Sequence, residues 1–155
     1  MKVALIQMKF ARRFFYLHPE RLMGMSIGAP GIVTLPDPTK PWWVGTGGME
    51  RIFDKTPDLD AMRKVPVEMV IGAQDIETWD VTVKPGSRNW MEGVNDPGET
   101  RVDRLRGLEK AFEAQGIAVR FDLVPGVEHA GGLVQEPVKA FLADVLARRS
   151  QVRAL

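Results

Sequence analysis

A three-layer α/β/α domain with a mostly parallel central sheet is the fold class this sequence predicts. Short apolar runs alternate along the chain with longer stretches whose apolar residues recur at helical spacing. Glycine and proline separate these segments. The length of 155 residues suits one domain, here taken as residues 1–155.

The elements follow in order. Val3 to Met8 reads as a brief strand, and Lys9 to His18 as a helix with Phe10, Phe14 and Leu17 on one face. Pro19 ends that helix. His18 stands at its carboxyl end, where a cationic side chain meets free carbonyls. Leu22 to Ile27 is a second apolar run, stopped by Gly28-Ala29-Pro30-Gly31. Pro36 to Gly48 reads as an ordered loop around Trp42 and Trp43, because adjacent tryptophans are seldom left in water. Met49 to Phe53 reads as a short helix, and the next is expected to start at Thr56 with Pro57 in its first turn. Val65 to Ile71 is a strand closed by Gly72.

Asp75 to Glu99 is a polar, irregular excursion with turns at Pro85-Gly86 and Pro97-Gly98. Thr100 is placed to cap a helix with Asp103 in its first turn and Val102, Leu105, Leu108 and Phe112 as its stripe. Gly116 is placed to end it. Ala118 to Val124 is a strand, and Gly126 to Gly132 a loop holding His129. Val138, Phe141, Leu142, Val145 and Leu146 then mark an amphipathic helix.

Composition narrows the function. The net charge is +1 with acids and bases mixed, which points to neither nucleic acid nor an anionic membrane. Cysteine is absent, so disulfides, thiolate catalysis and cysteine-held metal are excluded, and a cytoplasmic location is the expectation. No apolar run approaches the roughly 20 residues that span a bilayer. The N-terminal apolar run is short for a signal peptide and reads as a strand. No glycine-rich nucleotide motif occurs, and no cofactor is expected.

In open α/β sheets, chemistry collects in the loops at the carboxyl ends of strands. Two such loops carry Asp75 and His129, on consecutive predicted strands. Alone, Asp75 could cap a turn and His129 could be an ordinary loop histidine. As an ordered pair they form an acid that fixes one imidazole nitrogen and a base that uses the other. Asp75, Asp80, Glu128 and His129 offer oxygen and nitrogen ligands, but their spacing fits no metal pattern, and no metal is expected. Trp42, Trp43, Trp79 and Trp90 are read as packing within long loops rather than as the lining of an acyl pocket.

The run Tyr16-Leu17-His18-Pro19-Glu20-Arg21 at the end of the first helix, the strand end Ser26-Ile27-Gly28-Ala29-Pro30-Gly31, and the Asp75-then-His129 order resemble α/β-hydrolases of the polyhydroxybutyrate-depolymerase and esterase type. The resemblance covers nearly the whole chain and only the C-terminal half of a complete hydrolase. It implies a partial hydrolase fold, a small ester or acyl substrate, and Asp75 and His129 as triad acid and base. The family sets Gly-x-Ser-x-Gly on the turn before that first helix. Here the region reads Val3-Ala4-Leu5-Ile6-Gln7-Met8-Lys9, with neither serine nor glycine.

Gly24-Met25-Ser26-Ile27-Gly28 matches the motif literally, but Ala29-Pro30-Gly31 opposes the helix that should follow. Ser26 is therefore a poor candidate nucleophile. Ser87 and Ser150 lie outside any strand-to-helix turn. A sheet cut along its middle exposes the Val3–Ile6 strand, so self-association or a partner chain over that edge is expected. Two readings stay open: an ester hydrolase that needs Ser26 or a partner's serine, and a non-catalytic remnant, or truncated product, that binds or assembles.

Overall fold

The computed structural model describes the backbone of residues 2–5 and 9–153 and the side chains of residues 13–151. Four strands, β1 (Lys2–Leu5), β2 (Leu22–Gly28), β3 (Val67–Gly72) and β4 (Val119–Val124), form one sheet in that order. Every neighbouring pair is parallel. The helices are α1 (Lys9–Leu17), α2 (Met49–Phe53), α3 (Leu59–Met62), α4 (Arg101–Ala114) and α5 (Gln135–Arg153). The α/β class expected from sequence is the class observed. Residues 6–8 of the expected first strand lie outside the described residues.

Side chains alternate across a strand, so β3 feeds two cores. Val67, Met69 and Ile71 join the larger cluster with Met25, Ile27, Leu105, Leu108 and Phe112. Val70, on the other face, joins a smaller cluster with Val127, Val134 and Val138. All six residues of β3 are buried, as befits a central parallel strand covered on both faces.

The helix α1 buries a different face from the one its spacing suggested. Phe15 and Tyr16 are fully buried, whereas Phe14 and Leu17 are partly exposed at the margin of the core. Phe15 packs on Phe112 at 5.7 Å between ring centroids, and the Tyr16 hydroxyl donates to the Thr34 carbonyl at 2.6 Å. The side chain of Phe10 lies outside the described residues. At the end of this helix it is Lys55, not His18, that meets a free carbonyl: its Nζ donates to Leu17 O at 3.3 Å and lies 3.2 Å from His18 Nδ1.

The loop around the paired tryptophans is ordered by its own backbone bonds, among them Trp42 N to Gly47 O at 2.8 Å and Leu35 N to Val44 O at 2.9 Å. The helix expected at Thr56 begins later, because Asp58 takes the cap and accepts from Ala61 N at 2.9 Å. The helix α4 begins as expected, with a reciprocal box between Thr100 and Asp103. Gly116 follows it at a φ of 75°, a left-handed conformation that favours glycine. The helix α5 buries Val138, Phe141 and Val145, but Leu146 is half exposed. Trp79 and Trp90 are not packing residues either: they are 77% and 45% exposed. Among the described residues, no helix is long and apolar enough to cross a bilayer.

Candidate functional site

The loops after β3 and β4 are joined by backbone bonds. Ala73 N donates to Val124 O and Gln74 N to Val127 O, each at 2.9 Å. Gly72 permits this approach. A Cβ there would sit 2.6 Å from the Glu128 carbonyl oxygen and closer still to that of Val127. The chain turns once more, with Asp75 N bonded to Gly72 O at 3.2 Å. That turn aims the Asp75 carboxylate at the imidazole arriving from the β4 loop.

Asp75 and His129 are brought together: Nδ1 of His129 lies 2.8 Å from Oδ2 of Asp75. The Asp75 side chain is 1% exposed and that of His129 is 57% exposed. A buried carboxylate holding one ring nitrogen, with the rest of the ring in solvent, suits an acid–base pair in which Asp75 orients and His129 moves the proton. Both line a cleft of about 290 Å³, together with Gly28, Ala29, Gly72 and Arg101.

Arg101, at the start of α4, is the residue that sequence reasoning missed. Its Nη1 lies 3.2 Å from Asp75 Oδ1 and 3.2 Å from Asp80 Oδ1, and its Nη2 lies 2.5 Å from Asp80 Oδ2. The guanidinium thus occupies Oδ1 of Asp75 and leaves Oδ2 for His129. Asp80 is held below the usual carboxylate range, chiefly by its hydrogen bonds with Arg101. Arg101 is raised despite its burial, because Asp80 and Asp75 favour the cation. Arg104, also buried, anchors the excursion between β3 and α4 by donating to Gly98 O at 2.9 Å and to Asn95 Oδ1 at 2.8 Å.

Among the described residues, no three His, Cys, Asp or Glu side chains are grouped so as to hold a metal. The two aspartates of the set considered from sequence, Asp75 and Asp80, face the Arg101 guanidinium instead.

Ser26 is placed elsewhere. It lies inside β2 rather than on a strand-to-helix turn, and its hydroxyl donates to Glu68 Oε2 on β3 at 2.5 Å. It lines a second cavity, of about 480 Å³, between β2 and α5. Glu68 was the second omission. A carboxylate amid Val67, Met69, Val70 and Ile71 was a visible signal, since a fully buried strand seldom carries one.

No family model matches the chain, and no curated protein matches it. Solved structures do, and two of them are informative. The poly(3-hydroxybutyrate) depolymerase LpqC from Bordetella parapertussis matches 77% of this chain and 40% of its own, at 22% identity and a TM-score of 0.58. The poly(aspartic acid) hydrolase-1 from Sphingomonas sp. KT-1 matches 84% of this chain and 49% of its own, at 16% identity and a TM-score of 0.62. The chain shares its fold with these hydrolases and spans less than half the length of each.

Proposed function

We propose that Asp75 and His129 are the acid and base of an ester-hydrolysing site of the α/β-hydrolase type, acting on a small ester or acyl substrate. The observation that carries this is the 2.8 Å bond between His129 Nδ1 and the buried Asp75 carboxylate, on the wall of an open cleft. The shared fold supports it: the two neighbours are named as a poly(3-hydroxybutyrate) depolymerase and a poly(aspartic acid) hydrolase. In the reaction, Nε2 takes the proton of a serine hydroxyl as it attacks the carbonyl carbon. It then returns that proton to the leaving alcohol. Asp75 keeps the ring in the tautomer with Nδ1 protonated.

The serine is expected from polypeptide that covers the edge of the sheet at β1, since the described residues bring none to Nε2. Among the described residues that strand is paired on one side, with β2, through Ala4 against Met25 and Leu5 against Ser26. An open edge offers unpaired backbone groups to a second copy or to a different chain.

Hydrolysis of 4-nitrophenyl butyrate, measured in a Ser26→Ala background so that only the cleft is read, tests the pair. The expected result is a loss of about a thousandfold in kcat/KM for His129→Ala, and a large loss for Asp75→Asn. A rate unchanged in His129→Ala overturns the reading. A monodisperse monomer at high concentration, by sedimentation, overturns a second copy as the cover of that edge.

A further inference from the structure

A second buried polar group lies on the α5 face of the sheet, away from the Asp75–His129 bond. Ser26 is 4% exposed and Glu68 0%. The 2.5 Å bond between them is at the short end for a hydroxyl donating to a carboxylate. The other carboxyl oxygen of Glu68, Oε1, has no hydrogen-bond partner among the described residues. The carboxylate of Asp122 faces Glu68 from β4, and Arg120 holds Asp122 at 2.7 Å.

The surroundings of Ser26 distinguish it from a hydroxyl that only satisfies a neighbour. Side chains at positions 24, 26 and 28 of β2 point to the same face. At Gly24 the helix is in contact, since a Cβ there would lie 3.2 Å from a methyl of Val145. At Ser26 and Gly28 the space between strand and helix opens into the cavity of about 480 Å³. Its walls are apolar at Val70, Val138 and Leu142, with Gln135 and Lys139 at its margin. The hydroxyl therefore has a cavity in front and a carboxylate behind.

We propose that Ser26 and Glu68 are a nucleophile–base pair of their own, which takes a small acyl donor entering the cavity between β2 and α5. Ser26 Oγ forms a bond to the carbonyl carbon, and its proton passes to Glu68 Oε2. The bond from that carbon to the leaving oxygen breaks, and the departing alkoxide takes the proton from Glu68. Water then gives a proton to the same carboxylate and forms a bond to the acyl carbon. The bond from that carbon to Oγ breaks, and Oγ takes the proton back from Glu68 as the carboxylic acid leaves. The ionisation of Glu68 suits the task. Burial, reinforced by the Asp122 carboxylate and opposed by the Ser26 bond and Arg120, pushes it up to about 7. A base that ionises near the working pH is the effective one.

Labelling with a fluorophosphonate, read by intact mass and peptide mapping, tests the pair. Oγ displaces fluoride from phosphorus only where the serine is activated. The expected result is a single adduct on Ser26 that persists in His129→Ala and is lost in Glu68→Gln. In the parent protein the labelling rate should rise with pH through about 7, a readout that needs no variant. Folding of Glu68→Gln is checked by its urea transition. Absence of label on Ser26 in the folded protein, undiminished labelling in Glu68→Gln, or loss of the label in His129→Ala would each overturn the proposal. Because the adduct is located on the chain and compared in His129→Ala, its failure is separate from failure of the Asp75–His129 site.

Discussion

Replacing Glu68 by glutamine should make the protein more stable above neutral pH. Glu68 ionises at about 7 instead of 4.5, first because it is buried, then because Asp122 stands beside it, against the opposing Ser26 bond and Arg120 charge. The sign follows from which state holds the proton. Between pH 4.5 and about 7 the unfolded chain has released it and the folded chain retains it. The stabilising contribution of the protonated form is therefore whole below pH 4.5, is lost as pH rises to about 7, and stays lost above. A difference from 4.5 to about 7 corresponds to about 3 kcal/mol. Glutamine mimics the protonated acid at every pH. Its carbonyl can accept from Ser26 and its amide can donate to Asp122. Urea unfolding of both proteins at pH 5 and pH 8 is the assay. The expected outcome is similar midpoints at pH 5 and, at pH 8, a midpoint higher by about 1 M or more in the variant. Parallel stability curves from pH 5 to pH 8 would refute the reasoning, because they would mean that Glu68 is not protonated in the fold.

Two further predictions concern the cleft. Arg101→Met leaves the buried Asp75 without its cation and should cost about 3 kcal/mol, read from urea transitions at pH 7; a loss below about 0.5 kcal/mol, typical of an exposed pair, would contradict the buried geometry. Gly72→Ala drives a methyl into the backbone carbonyls of Val127 and Glu128, so the histidine loop must shift, at a cost of about 2 kcal/mol. The downfield proton resonance of His129 Nδ1 should disappear in that variant, and its persistence would show that the loop yields without parting from Asp75.

Much of this architecture was legible because periodicity reports burial. The strands at 67–72 and 119–124 and the capping box at Thr100 fell within a residue or two of expectation. The meeting of Asp75 with His129 was legible because successive parallel strands must end side by side. Errors arose where burial on one face is decided by packing. In α1 the Tyr16 hydroxyl needs the Thr34 carbonyl, and this turns Phe15 and Tyr16 inward at the expense of Phe14. Arg101 was invisible as a site residue because its partners, Asp75 and Asp80, lie 26 and 21 positions away. Glu68 stood out by type, yet its partner Ser26 is set by sheet register, which pairs those two positions across β2 and β3.

The two faces of the sheet explain why a carboxylate survives in its middle. On the face toward α4, Met25, Ile27, Met69, Leu105 and Phe112 close a continuous apolar core, and an acid there would have no polar neighbour. On the face toward α5, β2 carries only Gly24, Ser26 and Gly28. The small strip lets the helix approach at Gly24 and leaves the cavity beyond it. Glu68 sits beside that strip, with Ser26 as donor and the Asp122–Arg120 pair behind. The cavity and the Asp75–His129 cleft share Gly28, Gly131 and Val134 on their walls. The loop that delivers His129 to Asp75 thus also bounds the space before Ser26. A mutation that displaces this loop, as Gly72→Ala should, is expected to alter both cavities. Glu68→Gln acts behind the serine and should leave the His129–Asp75 bond in place.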